Sequence, residues 1–191
     1  MAAVNVMANP RGKTYIVGDI HGCLSELKAL LKKVNFRVGV DQLIHVGDLI
    51  AKGPQSLEVV AWCRKHRIPG VLGNHDEHML RYARRLRAGE AWETIDTKWE
   101  HPKIARDLAP EDIDYMLSLP THLRLPGAGP KGQDLLVVHA GVVPGVAVED
   151  MAPHDIAYMR NILPDGRATA SNDDGTPWFT CTCPNTRRPL Y

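Results

Sequence analysis

No apolar segment of the sequence approaches the roughly 20 residues that would span a bilayer, and Met1–Lys13 lacks an apolar core of signal-peptide length. A soluble chain in the cytoplasm is the expectation. Neither sign of charge is in excess: the formal balance is +1, so no broad field draws the chain to nucleic acid or to an anionic membrane. Specific nucleic-acid binding and membrane binding are therefore not expected, and any recognition of anions must be local. Cysteine is scarce. Cys23 and Cys63 sit in helical patterns as small buried groups, and Cys181 and Cys183 form a lone Cys-x-Cys with no second cluster at zinc-site spacing. Internal repeats and low-complexity tracts are also missing.

What is there is an alternation of short β-branched runs with amphipathic helical stretches, an α/β grammar in a chain of single-domain size. Thr14–Val17 reads as a buried strand, Leu43–Val46 as a second and Gly70–Leu72 as a short third. Leu24, Leu27, Leu31 and Val34 recur at helical spacing, and helices are expected over Ser56–His66, Asp76–Arg87 and from Pro110, where proline followed by two acids suits a helix start. Leu123–Leu125 and Leu135–Val138 flank a Gly/Pro loop as an antiparallel pair. Residues 90–119 are polar without evident chemistry, and 164–177 read as loop. The expected organisation is an N-terminal extension over 1–13, a domain over 14–178, and a divergent, poorly ordered tail over 179–191.

The chemistry collects where strands end. The first strand runs into Gly18-Asp19-Ile20-His21-Gly22, the second into Gly47-Asp48, the third into Gly73-Asn74-His75-Asp76, and the fourth into His139-Ala140-Gly141. Ligands gather outside the carboxyl ends of strands in open α/β sheets, so these tips are expected to converge on one crevice. Carboxylate, imidazole and amide donors suit divalent cations of the Mn, Fe, Zn or Co type. Each fragment alone is an ordinary turn or a hydrogen-bonded histidine; four in succession, each after a strand, are not. Arg81, Arg84, Arg85 and Arg87 share one helix, and the simpler reading of that run is a solvated face. Histidines 45, 66, 78, 101, 122 and 154 have no motif around them, and the four tryptophans read as packing residues.

These motifs, with Gly47-Asp48-Leu49-Ile50-Ala51-Lys52-Gly53-Pro54, resemble the calcineurin-like metallophosphoesterase superfamily over roughly Tyr15 to Pro177. Ala51 and Lys52 stand where its protein serine/threonine phosphatases carry Asp and Arg. Ala-Lys-Gly-Pro, and Met159 to Gly166, are instead similar to the ApaH-like branch, relatives of the symmetrical bis(5'-nucleosyl)-tetraphosphatases. The resemblance implies a two-sheet sandwich flanked by helices. It implies two divalent metal ions, one held by Asp19, His21 and Asp48, the other by Asp48, Asn74 and His139, with Asp48 bridging and a shared water becoming the hydroxide that attacks phosphorus. His75 would protonate the departing oxygen, Lys52 would contact phosphate, and Arg160 would add a second cation.

The family usually places a further Gly-His motif downstream of His-Ala-Gly, and this sequence has none. The expectation is a chain truncated at its C-terminal side, with an incomplete second sheet and a weakened second metal site. The leading reading is a phosphohydrolase acting on a dinucleoside polyphosphate, a triphosphate end or polyphosphate. The alternatives are a weak or inactive phosphate-binding homologue and, less favoured because of Ala51, a protein phosphatase.

Overall fold

The computed structural model describes residues 12–181; the expectations for residues 1–11, for the tail from 182 onward and for Cys183 lie outside the described residues. The chain is a mixed α/β fold of small sheets. Strand β1 (Thr14–Val17) and β2 (Gln42–His45) pair in parallel, Thr14 opposite Gln42 and Val17 opposite His45. A parallel pair needs a crossover, and α1 (Leu24–Lys33) lies within it. All of β2 is buried, whereas β1 is not the buried strand expected: Thr14 and Ile16 face solvent, because among the described residues β1 pairs with β2 alone.

The third strand is reduced to one bridge. His45 N–H donates to the Pro69 carbonyl and Val71 N–H to the His45 carbonyl, after which Leu72 N–H turns away to Pro120. Only three residues separate Pro69, which has no N–H to give, from Gly73 at the next helix, so a longer ladder cannot form.

Helices α2 (Ser56–Lys65), α3 (Asn74–Arg87), α4 (Glu100–Asp107) and α5 (Pro110–Ser118) cover the parallel pair. Val59, Val60, Met79, Leu80 and Met116 are wholly buried at their centre. Helix α3 begins at Asn74, two residues earlier than expected. Helix α4 falls in the stretch read as polar and featureless. It exposes four of its eight residues and buries His101, Pro102, Ile104 and Ala105, an apolar stripe continued by Leu108.

Strands β3 (His122–Leu125) and β4 (Leu135–Val138) form the expected antiparallel pair. After them α6 (Pro153–Tyr158) leads into a three-stranded sheet with β5 (Asn161–Ile162) between β6 (Ala168–Thr169) and β7 (Thr176–Pro177). The segment 164–177 is thus more than loop; strands of two residues are too short to show a period in sequence. Trp178 packs with Met151, Ile156 and Met159. No helix among the described residues is long and apolar enough to cross a membrane.

The end of β2 is fixed from within by His45. Its Nδ1 accepts from Gly47 N–H at 3.3 Å, so its Nε2 carries the proton and meets Tyr115 Oη at 3.1 Å, and that hydroxyl donates to the Ile68 carbonyl at 2.8 Å. Full burial pushes the imidazole from its ordinary 6.5 down to about 3. Below pH 6.5 the unfolded chain therefore takes up a proton that the folded chain refuses, so this contribution to stability is intact above 6.5 and lost progressively as pH falls toward 3. Urea unfolding between about pH 4 and pH 7 is expected to show up to about 1.4 kcal/mol per pH unit from this group. His45→Gln should be less stable at neutral pH yet flatter in its pH dependence, and parallel profiles for the two proteins would remove the assignment.

Candidate metal centre

Asp19, His21, Asp48, Asn74 and His139 meet at one place, although 120 residues separate the first from the last. The short turns after the strands bring them there. Ile20 and His21 N–H both donate to the Asp48 carbonyl, at 3.0 and 2.8 Å, and Gly22 N–H donates to Leu49 at 2.9 Å. These bonds hold the tips of β1 and β2 backbone to backbone. His21 and Asp48 adopt positive φ, 45° and 51°, an unfavourable region for side-chain-bearing residues that concentrates at functional sites. Gly47 and Gly73 permit the closest approach. A Cβ on Gly47 would lie 2.4 Å from Gly73 N, and one on Gly73 would lie 2.2 Å from Asp48 Oδ1.

Asp48 is the centre of the set, with its side chain only 3% exposed. Its Oδ1 accepts from His75 N–H at 2.9 Å, at the N-terminus of α3, where the helix dipole favours an anion. His21 Nε2 stands 3.4 Å from Asp48 Oδ2 and 3.5 Å from Asp19 Oδ2. His139 Nε2 stands 3.6 Å from Asp48 Oδ1 and 2.9 Å from Asn74 Oδ1. The carboxylates and imidazoles fall into two groups of metal-holding geometry, Asp19 with Asp48 and His139, and His21 with Asp48 and His75, and Asp48 belongs to both.

The hydrogen bonds on the far side of each ring decide what the near side can be. His21 Nδ1 donates to the Ile50 carbonyl at 3.0 Å and His139 Nδ1 to the Val46 carbonyl at 2.8 Å. A carbonyl can only accept, so in each neutral ring Nδ1 carries the hydrogen and Nε2 presents a lone pair. Those lone pairs face carboxylate and amide oxygens, which are also acceptors. Such a cluster is stable only around positive charge. Backbone carbonyls orienting the ligating rings in this way are the usual support of a metal site, so the donor set fits divalent cations.

Lys52 supplies one such charge directly: its Nζ donates to His21 Nε2 at 2.8 Å. Its backbone is at φ 67° and its N–H donates to Glu100 Oε1 at 2.8 Å, so the start of α4 helps to set this turn. His75 Nδ1 meets His101 Nε2 at 2.9 Å, and the ring lies edge-on to His21. Burial, with Lys52 and His21 adding to it, holds His75 below the ordinary imidazole value against the pull of Asp48. Arg160 is not brought into this cluster. It is exposed, and its guanidinium donates to its neighbour's carbonyl on Met159 at 3.2 Å.

Several residues that the sequence reading left without a role support the site. His101 is buried behind His75, stacked also on His78, and its imidazole is lowered to about 4 chiefly by burial. The signal for it was its place on the stripe with Ile104, Ala105 and Leu108. Asp76 is buried, accepts from Leu49 and Gly73 N–H at 2.9 and 3.1 Å, and is pushed up to about 7 by burial and by Asp48. Tyr158 Oη lies 3.0 Å from the Asn74 carbonyl and 2.8 Å from Glu77 Oε2. Cys23 is not a buried helical residue as expected; it precedes α1, half-buried, with Sγ 3.4 Å from the His21 carbonyl. In the arginine run, Arg81, Arg85 and Arg87 are paired with Glu77, Glu90 and Asp114, which agrees with a solvated face.

The sequence profile of the calcineurin-like phosphoesterases matches residues 12–181. The chain is 36% identical over 152 residues to a symmetrical bis(5'-nucleosyl)-tetraphosphatase of Shewanella sediminis, covering 77% of this chain and 52% of that protein. It is 36% identical over 132 residues to the protein of the same name in Neisseria meningitidis, covering 68% and 44%. The chain thus spans about half the length of the curated relatives it matches. A crystal structure provisionally assigned as a diadenosine tetraphosphatase superposes with a TM-score of 0.74 at 33% identity, over 90% of this chain and 71% of that one.

Metal titration of the stripped protein tests the centre. Two equivalents of Mn or Zn are expected to bind. His139→Ala should leave one, whereas Asp48→Asn, which alters the residue common to both groups, should weaken both by about 100-fold or more. Retention of two full-affinity sites in Asp48→Asn would show that the ions sit elsewhere.

Proposed function

The chain belongs to the calcineurin-like phosphoesterase family, and from that premise we propose that it is a metal-dependent phosphohydrolase of the ApaH-like type, acting on phosphoanhydride bonds. Its substrate class is a dinucleoside polyphosphate, a triphosphate end or polyphosphate. The observation that carries this reading is the ring of lone pairs on Asp19, Asp48, Asn74, His21 and His139, all facing one another across Asp48. In our reading the β1–β2 pair and the later antiparallel strands are the two halves of a sandwich, with the centre at their shared edge.

Asp19, His21 and Asp48 would hold one cation, and Asp48, Asn74 and His139 the other. When bound, the pair would neutralise phosphate charge and activate a water for attack. The protein's own groups do the rest. Asp19, half exposed, marks the open side from which substrate enters. Lys52, whose ammonium now rests on the His21 lone pair that a cation would use, would then be free to turn to the phosphate oxygens as a compact, mobile charge. His75 keeps Nε2 without a protein partner among the described residues, because its Nδ1 is held by His101. That nitrogen is the one placed to give a proton to the departing oxygen. Arg160 would contribute only if substrate recruits it from the surface. Ala51 is buried against α2, its N–H donating to Ser56 Oγ at 3.0 Å, so the second motif offers no carboxylate toward His75; a protein phosphatase reading loses support accordingly.

Metal-stripped protein resupplied with Mn, Co or Zn is expected to release phosphate or nucleotide from diadenosine tetraphosphate or polyphosphate. Absence of metal-dependent turnover from folded, metal-loaded protein would overturn the enzyme reading in favour of a phosphate-binding homologue. His75→Asn should lower kcat about 100-fold or more, with a smaller loss on p-nitrophenyl phosphate than on an alkyl phosphate, since a phenolate leaves with less help. His101→Ala should lower kcat about tenfold without changing metal stoichiometry, and His101→Gln, which can still hold Nδ1, should recover part of it.

A further inference from the structure

A cavity of about 1010 Å3 opens at the other end of β2 from the metal centre. It lies between α1, the chain entering β2 and the turn after α2, and its wall includes Lys28, Lys32, Phe36, Gln42, Trp62 and Arg67. We propose that this cavity is a second ligand site that takes a nucleoside phosphate, the base against Trp62 and Phe36 and the phosphates on Lys28, Lys32 and Arg67.

The position separates it from the metal centre. Gln42 opens β2 and Asp48 stands three residues beyond its last residue, His45, so about 10 Å of strand, at roughly 3.3 Å per residue, plus a turn lies between them. A ligand here is not the molecule being cleaved.

Charge comes next. Lys28 and Lys32 are one helical turn apart on α1, and Arg67 arrives from the turn after α2. None of the three is in an ion pair among the described residues, unlike most of the arginines. The one acid on the wall among the described residues, Asp41, is already engaged: it accepts from Lys13 and Arg37 N–H, each at 2.8 Å, and from the Arg37 guanidinium at 2.9 and 3.2 Å. The cavity therefore presents uncompensated positive charge.

The third feature is a buried donor. Gln42 is 4% exposed; its Oε1 lies 3.5 Å from Thr14 Oγ1, while its Nε2 has no partner among the described residues. A buried amide N–H without an acceptor costs about 1–3 kcal/mol and is rare in folded proteins. Gln42 is part of the cavity wall, so a ligand acceptor that displaces the groups covering Nε2 would satisfy it. An inorganic anion would use the three cations and leave the aromatics idle, and a fatty acid would set its carboxylate on a cation but has no flat ring to lie against Trp62 and Phe36. A nucleoside phosphate uses cations, aromatics and amide, and the volume, at the upper end of the roughly 300–1,000 Å3 usual for ligand sites, admits one.

Calorimetric titration of the full chain with ADP, in EDTA so that the metal centre takes no part, tests the site. One site of roughly micromolar to 100 μM affinity is expected. The exposed pair Lys28→Ala/Arg67→Ala, whose fold is checked by its thermal unfolding, should weaken ADP by at least about tenfold, and Trp62→Leu, which removes a ring from the wall, should weaken ADP more than pyrophosphate. Asp48→Asn should bind ADP as the wild type does. The proposal is overturned by no binding of ADP to the wild type, by loss of binding in Asp48→Asn with retention in the Lys28/Arg67 variant, or by pyrophosphate binding as tightly as ADP.

Discussion

The arrangement of this protein depends on one electrostatic constraint: a buried carboxylate, Asp48, faced by two imidazole nitrogens whose lone pairs point at it. Water cannot relieve that confrontation, because the Asp48 side chain is almost wholly enclosed. Positive charge must. The chain brings two kinds to bear, the N-terminal dipole of α3 and the Lys52 ammonium, and its donor set fits a third, divalent cations. The strained backbone at His21 and Asp48 is held by backbone hydrogen bonds between the two strand tips and by the side-chain bonds of both residues to Ile50 and His75.

That constraint explains why residues remote from the ligands are buried and polar. His45 stays neutral to fix Gly47, Asp76 caps the start of α3 while holding Leu49, and Tyr158 reaches across from α6 to the Asn74 backbone. Each fixes a peptide next to a ligand, leaving the ligand's own polar atoms free. The helices and the later sheet give these supports their positions, and little of the scaffold is independent of the site.

The convergence of Asp19, His21, Asp48, Asn74 and His139 was legible in sequence because each follows an apolar run, four of them directly beside a glycine, and that pairing of a sharp turn with a polar side chain survives translation into a linear string. Helices with several turns of periodicity, such as Leu24–Lys33 and Ser56–Lys65, were legible for a similar reason. The supports were not. His101 belongs to a helix of eight residues whose only apolar signal is one stripe, and its partner His75 is set by tertiary packing of α3 on α4. The strands at 161–162, 168–169 and 176–177 are too short to carry a pattern, and the burial of β1 was misread because edge or centre is decided by which strands come to lie beside it. Arg160 shows the converse limit: a motif-like neighbourhood did not place its side chain at the centre.

The contact between Gly47 and Gly73 binds two distant places in the sequence into one unit of heredity. Because a side chain on Gly47 would run into the Gly73 backbone and one on Gly73 into Asp48, no substitution at one position can be rescued by a change of residue at the other. A lineage drifting through sequence space can alter the helices around this centre step by step, but these two positions have no neighbouring solution to drift toward.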